Sequence, residues 1–147
     1  MKHGDAYLYY VQVYGYYLRV LDFNIANSKD ASSYFQAYKC EAMTLETICT
    51  NSILLNSSSQ NQAYFYRGLA RVILGNCNGA VSDFRTAMNS NDKSLCYYNI
   101  GIAYANNKRY LDAIDYMKQV NSNTTSKKIK EQSLSKIKEY QDKINER

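Results

Sequence analysis

The chain encodes one helical hairpin twice, at a fixed spacing, and this repeat restricts the folds open to it. Three pairs of residues carry the correspondence and share one separation in sequence: Gly68 and Gly101, Ala80 and Ala113, and Phe84 and Met117. We call this separation the repeat interval. Small residues at fixed intervals between apolar ones mark places where two helices approach closely. A period in the thirties is the length of one helix–turn–helix unit that buries its apolar face against copies of itself. We therefore expect an all-α protein built from stacked helical hairpins.

The composition agrees with helices joined by short polar turns. The 147 residues contain no Pro and only six Gly, which argues against an all-β fold rich in turns. The length predicts a single domain over residues 1–147. Tyr contributes 16 residues, and because a buried Tyr hydroxyl needs a partner, we expect many of these rings at the margins of the packing.

Apolar residues spaced three and four apart predict about seven helices. The predicted ranges are 6–23, 31–55, 61–74, 78–90, 94–106, 109–121 and 126–145. The first range would also suit a strand, but no second strand follows to pair with it, so we favour a helix. The second is either one long helix or two nearly collinear helices that break near Met43 and Thr44. Its predicted apolar stripe consists of Phe35, Tyr38, Ala42, Leu45, Cys49, Ser52 and Leu55. The chain thus divides into N-terminal helices or a degenerate repeat (1–56), two hairpins (61–121) and a basic capping helix (122–147).

The predicted last helix carries a narrow apolar stripe on a charged surface. The stripe consists of Ile129, Ser133, Ile137, Tyr140 and Ile144. One face to cover the last hairpin and one to meet water is what a terminal cap needs. The net charge of +5 is concentrated here, since residues 121–147 hold seven Lys/Arg and four Asp/Glu. The interspersed acids favour a solvated helix face over a nucleic-acid or membrane surface.

The inventory of reactive side chains argues against an enzyme. His3 is the single histidine, and the four cysteines form no C-x-x-C pair, so no zinc site of ordinary spacing can be built. There is no nucleophile elbow, phosphate-binding loop or clustered carboxylate pair. We expect no catalysis, no metal and no cofactor. Free thiols suit the cytoplasm or another reducing compartment, and neither a signal peptide nor a membrane-spanning run is expected.

The two copies resemble the tetratricopeptide repeat family. The second copy matches with Tyr97, Ile100, Gly101, Tyr104, Tyr110, Ala113 and Met117, and the first with Tyr64, Gly68, Gly75, Ala80, Phe84 and Ala87. The resemblance implies a right-handed solenoid of helical hairpins. The first copy departs from the pattern at Arg67 and Arg71, where the family has apolar residues, and Asp92 replaces its Pro.

The resemblance also implies a concave groove, lined by the first helix of each hairpin, that holds a peptide or a partner helix. The implied lining residues are Gln62, Phe65, Leu69, Ile73, Tyr98, Asn99, Ile102 and Asn106. The alternative is that Phe65, Leu69 and Ile102 pack against the N-terminal helices and fill the groove from within. Members that grip acidic C-termini need lysines where Phe65 and Tyr98 stand, so an apolar or aromatic ligand is favoured.

Arg67 and Arg71 lie four residues apart on one helix face. Two guanidinium groups in that arrangement can bind a carboxylate or phosphate of a partner in forked geometry. Alternatively, they pair with Glu41, Glu46 or Asp83 while their stems cover apolar surface.

These observations predict a non-catalytic adaptor or scaffold that binds another protein, with no small-molecule substrate. Binding would use the groove or the tyrosine-rich helix at 6–23. The alternative is a structural subunit of a larger assembly in which that aromatic helix is the buried contact.

Overall fold

A computed structural model describes residues 28–55, 60–88 and 93–146, and within them all regular secondary structure is helical. The six described helices are α1 (Ser28–Leu54), α2 (Gln60–Ile73), α3 (Cys77–Ala87), α4 (Lys93–Asn106), α5 (Tyr110–Asn123) and α6 (Lys127–Asn145). The predicted all-α class is thus confirmed for this part of the chain. The helix predicted over 6–23 lies outside the described residues.

Helix α1 is one continuous helix, with no break at Met43 or Thr44. Of its predicted stripe, Ala42, Leu45 and Cys49 are buried and Ser52 is partly buried. Phe35 and Tyr38 lie outside the residues whose side chains the structure describes. The predicted last member of the stripe, Leu55, is exposed. It follows the C-terminal residue of the helix, so the helical periodicity that would turn it inward does not reach it.

Each described helix packs against the next one in the chain, and α2 also contacts α4. Helices α2 and α3 form one hairpin, and α4 and α5 form the other. The helix starts keep the repeat interval, since α4 begins one interval after α2, and α5 begins one interval after α3. The largest fully buried side chains of the hairpins include Leu69, Phe84, Ile100, Ile102 and Met117.

The two glycines lie at the predicted close contacts between helices. A Cβ atom on Gly68 would stand 2.8 Å from Cε1 of Phe84, and one on Gly101 would stand 2.8 Å from Cε of Met117. Each hairpin therefore brings its second helix against a residue without a side chain. Gly68 and Gly101, which the sequence identifies as equivalent positions, therefore make equivalent packing contacts in the two hairpins.

The turns inside the two hairpins also match. After α2, the amides of Gly75 and Asn76 donate to the carbonyls of Val72 and Arg71. After α4, the residues one repeat interval later form the same two bonds: Lys108 donates to Ala105, and Arg109 donates to Tyr104. This pattern ends a helix with one residue in the left-handed region, and φ is +80° at Gly75 and +62° at Lys108. Lys108 thus holds a conformation that glycine adopts without strain.

We expect Lys108→Gly to raise the free energy of unfolding by about 0.5–1 kcal/mol. A non-glycine residue in the left-handed region loses roughly 1–2 kcal/mol, and the greater freedom of Gly in the unfolded chain offsets part of that gain. Urea unfolding followed by circular dichroism measures the change. Lys118→Gly, at an exposed position within α5, is the control and should lose about 1 kcal/mol. A loss at both positions would contradict the argument.

Helix α6 covers α5 with the predicted stripe. Ser126 caps it, since its hydroxyl accepts the amide proton of Ile129 at 3.3 Å. Ser133 and Tyr140 are buried, and Ile129, Ile137 and Ile144 are partly buried against the core. Most of the remaining surface of α6 is exposed.

Candidate binding surface

The predicted partner-binding residues lie on α2 and α4, the first helices of the two hairpins. Helices α2 and α4 contact each other, and the predicted lining residues on these two helices are called the α2–α4 face below. Five of the predicted lining residues are buried: Phe65, Leu69, Ile73, Asn99 and Ile102. Tyr98 is partly buried, whereas Gln62 and Asn106 are exposed.

Phe65 shows how the buried residues of the predicted groove lining are packed. Its ring packs edge-to-face on Phe84, with the ring centroids 5.6 Å apart, and a similar contact joins it to Tyr66 at 6.1 Å. A partner can reach a side chain packed in this way only if the packing opens. Phe65, Leu69 and Ile102 are buried. That they bind a partner, or that they pack against the N-terminal helices and fill the groove, stays a prediction.

Asn99 differs from its buried neighbours because one of its polar atoms is unsatisfied. The side chain is 1 % exposed, and Nδ2 donates to the carbonyl of Leu95 at 2.9 Å. Oδ1 is buried and accepts no hydrogen bond from the residues that the structure describes. A buried acceptor without a donor costs about 1–3 kcal/mol. Such an atom on the predicted face can accept a hydrogen bond from a bound chain once the packing around it opens.

Arg67 and Arg71 are paired inside the protein. Arg67 binds Asp83 in forked geometry, with Nε to Oδ2 at 2.9 Å and Nη2 to Oδ1 at 2.8 Å. Arg71 bridges two carboxylates, with Nη1 to Asp83 at 3.1 Å and Nε to Glu46 at 2.9 Å. Arg67 also donates to the hydroxyl of Thr50 at 3.3 Å. The pairing expected with Asp83 and Glu46 is confirmed.

This ion network joins three helices, because Glu46 and Thr50 belong to α1, the arginines to α2 and Asp83 to α3. The Asp83 hydrogen bond is the largest influence that raises the pKa of Arg67, outweighing burial. A carboxylate or phosphate from a partner would have to displace Asp83. Partner binding by Arg67 and Arg71 stays a prediction, while their contacts show how α1 is held on the first hairpin.

In the second hairpin, aromatic residues stand at the positions equivalent to the ion network of the first. Tyr104 and Tyr116 follow Arg71 and Asp83 by one repeat interval, and their rings stack with centroids 5.5 Å apart. Tyr97 joins them, with its centroid 6.1 Å from that of Tyr116. The same place in the two hairpins is thus filled by an ion network in one and by tyrosine rings in the other.

Two arginines flank this tyrosine stack. The guanidinium of Arg109 lies 4.6 Å from the ring centroid of Tyr104, within the range of a cation–π contact. Arg85 donates to the hydroxyl of Tyr116, and this bond raises the pKa of Arg85. The sequence reasoning missed this cluster. The repeat interval, which aligns Tyr104 with Arg71 and Tyr116 with Asp83, is the signal that could have found it.

The cysteines are free, as expected, and three of the four are buried. Cys49 lies beside the ion network, and burial raises the pKa of its thiol to about 12, against the lowering influence of Arg67. Burial also raises the pKa of Cys77. Nucleophilic cysteines have lowered pKa values, so neither thiol has the properties of a nucleophile.

Neither a metal centre nor a membrane span is found within the described ranges. No group of three or more His, Cys, Asp or Glu side chains there could hold a metal ion. None of the helices has the length and apolar composition needed to cross a bilayer.

The α2–α4 face thus offers one buried acceptor, Asn99, beside partly buried and exposed polar residues. Its geometry is the basis for a functional assignment, because similarity to known proteins supplies none. Compared with protein-family models, curated proteins and solved structures, the chain matches none of them.

Proposed function

We propose that this protein is a non-catalytic protein-interaction module of the tetratricopeptide type. In this proposal the hairpins form a right-handed solenoid, α6 is its cap, and the protein is an adaptor in the cytoplasm or another reducing compartment. The proposal is supported by the equivalence of the hairpins. Their glycine contacts, their turns and the starts of their helices all recur at the repeat interval, and stacked repeats use such surfaces to bind extended chains.

The unsatisfied Oδ1 of Asn99 carries the proposal. Proteins rarely retain a buried acceptor without a donor, because each one lowers stability. Nδ2 already serves the carbonyl of Leu95, so the free atom of the amide is an acceptor. A backbone N–H of a bound peptide or partner helix is a donor of the right kind. Binding that opens the packing around Asn99 would satisfy Oδ1, and the stability lost in the free protein would be recovered in the complex.

The neighbours of Asn99 indicate the class of ligand. Tyr98 precedes it and is partly buried, and Asn106 lies exposed two turns further along α4. Phe65 and Tyr98 also stand where a site for acidic C-termini needs lysines, so the proposed ligand is an apolar or aromatic segment bound through its backbone. Partner contact through Arg67 and Arg71 is an accessory element of the proposal.

We expect Asn99→Ala to abolish partner capture while leaving the melting temperature unchanged or slightly raised. The substitution removes an unsatisfied buried acceptor, so folding loses little, whereas the complex loses a hydrogen bond. Affinity capture with mass spectrometry, performed on wild-type protein and variant in parallel, identifies partners lost from the variant. Circular dichroism and thermal melting report on folding.

Asn51→Ala is the matched control, because Asn51 is exposed on α1. It should retain every partner. Capture by Asn99→Ala equal to that of the wild type would overturn the proposal. A collapse of the melting temperature would instead show that Asn99 is needed for the core.

A further inference from the structure

Helix α6 occupies the place of the first helix of a third hairpin, and one of its sides has no partner among the described residues. Its start falls within one residue of the position that the repeat interval predicts from the start of α4. It packs on α5, the second helix of the preceding hairpin, as α4 packs on α3. Helix α4 uses another side, marked by Gly101, to receive α5. The residue one repeat interval after Gly101 is Leu134, and its side chain is 53 % exposed.

A groove of about 630 Å³ lies between α5 and α6 on this side. It is lined by Leu111, Ile114, Asp115, Lys118, Gln141, Ile144 and Asn145. Leu134 shares a helix face with Gln141 and Asn145, which follow it at seven and eleven residues. Leu111 stands at the groove with 72 % of its surface exposed. Leu111 is therefore presented to solvent at a groove with a mixed apolar and polar lining, and Leu134 is presented on the same helix face two turns before Gln141.

The Leu134 side of α6 is mainly basic. Its exposed lysines are Lys127, Lys130 and Lys138, against one exposed acid, Glu131. The groove lining adds Lys118 and Asp115. In the described part of the chain, the ion pairs of α6 involve other lysines, Lys136 and Lys143. The four lysines are thus available to carboxylates from another molecule.

We infer that the α5–α6 groove, with Leu134 beside it, docks an acidic amphipathic helix of a partner protein. Helices pack at axial separations of 8–10 Å, set by the side chains at the contact. Leu134, in place of glycine, holds an incoming helix further away than α5 is from α4, and its side chain inserts between apolar residues of that helix. Glutamates and aspartates on the flanks of the helix would meet the lysines.

Helix recognition in a groove uses apolar anchors spaced three, four and seven residues apart. The floor at Ile114 and Ile144 is recessed between two antiparallel helices, which suits a helical ridge better than a flat lipid surface. A second copy of this chain is disfavoured as occupant, because its own groove side carries the same excess of lysines. This surface is separate from the α2–α4 face, so either proposal can fail alone.

The test uses the whole protein and two designed peptides of about 15 residues, roughly four helical turns. Both carry leucines at anchor spacing, one with glutamates on the flanks and the other with lysines. Fluorescence anisotropy should show binding of the glutamate peptide, at least about tenfold tighter than the lysine peptide and weakened by added salt. Absence of binding by the glutamate peptide, or equal binding of both, overturns the inference.

Two variants locate the binding site. Leu134→Ser and Lys138→Glu should each weaken the glutamate peptide by about tenfold or more, the scale expected for loss of an anchor or of charge complementarity. Their matched controls on α1 are Met43→Ser, at a methionine also 53 % exposed, and Lys39→Glu, at an exposed lysine. The controls should bind as the wild type does, and circular dichroism verifies the fold of all four. An equal loss of affinity for the glutamate peptide in the variants and in their controls would contradict the assignment of its binding site to the α5–α6 groove.

Two further measurements separate other occupants. Vesicles of phosphatidylcholine and phosphatidylserine that bind the protein through Leu134 in preference to the glutamate peptide would overturn the inference in favour of a lipid surface. A concentration-dependent dimer in size-exclusion chromatography that Leu134→Ser abolishes would overturn it in favour of a second copy.

Discussion

Replacement of Asp83 by Ala is expected to lower the free energy of unfolding by about 3 kcal/mol or more, the scale measured when one partner of a buried ion pair is removed. The Asp83 side chain is 2 % exposed and accepts three hydrogen bonds from two arginines. Without it, the guanidinium groups of Arg67 and Arg71, exposed by 14 % and 21 %, would face each other with no carboxylate between them. Arg67 would retain Thr50 and Arg71 would retain Glu46.

Removal of the Asp83 carboxylate would weaken contacts among three helices at once, because the ion network joins α1 to the first hairpin. Urea unfolding measured by circular dichroism gives the free energy, and a steady slope against denaturant would show that the protein still unfolds as one unit. Asp83→Asn separates the effect of charge from that of shape, since the amide keeps the shape of the side chain and removes the charge. The free energy of unfolding of this variant should lie between those of the wild type and Asp83→Ala.

Asp112→Ala is the control for an exposed ion pair. Asp112 pairs with Arg109 three residues before it on the surface, and such pairs contribute about 0–1 kcal/mol. The expected contrast is therefore at least threefold in free energy. A cost for Asp83→Ala as small as that of Asp112→Ala would show that water and the remaining partners compensate for the missing carboxylate.

The helices could be predicted from the sequence because their signals are local. Apolar spacing and polar turns locate α2 to α6 within a few residues, and the repeat interval pairs Gly68 with Gly101 from the sequence alone. The misplacement of Leu55 has a local cause as well. A periodic pattern does not state where the backbone leaves the helix, and Leu55 falls one residue past that point.

For contacts between residues far apart in the chain, the sequence limits the possible partners but does not identify which of them form the contact. The sequence offers Glu41, Glu46 and Asp83 as partners for the arginines, and which of them pair depends on how three helices are placed relative to one another. The same reason explains why the sequence could not decide whether the side chains at Phe65, Leu69 and Ile102 are accessible. Burial at one position is set by neighbours far along the chain, and no local pattern records them.

We expect Gly68→Ala to lower the free energy of unfolding by about 1–2 kcal/mol, and Gly101→Ala to have a much smaller effect. Both substitutions favour the helix by about 1 kcal/mol, and both place a Cβ within 2.8 Å of a side chain. Overpacking a core costs typically 1–3 kcal/mol when the neighbours cannot move. The difference between the glycines therefore lies in what each new Cβ would meet.

At Gly68 the neighbour is the ring of Phe84, with three of its atoms between 2.8 and 3.0 Å. The ring is fully buried and packs on Phe65, so it can yield only if the helices separate. At Gly101 the closest atom is the terminal methyl of Met117, which can rotate away, and the next is the carbonyl oxygen of Ala113 at 3.3 Å. An unbranched methionine adapts to irregular spaces where a rigid ring does not.

The two copies supply their own rescue experiment. Phe84→Met introduces into the first hairpin the residue that stands at the equivalent position of the second. Phe84→Met alone should destabilise the protein, because a buried ring is lost. In the Gly68→Ala background, Phe84→Met should lower the free energy of unfolding by a smaller amount. The coupling between the two sites should stabilise the double variant by at least about 0.5 kcal/mol relative to additive effects. Equal costs for the two glycine substitutions, or strictly additive effects in this cycle, would mean that the close contacts do not determine how the paired helices approach.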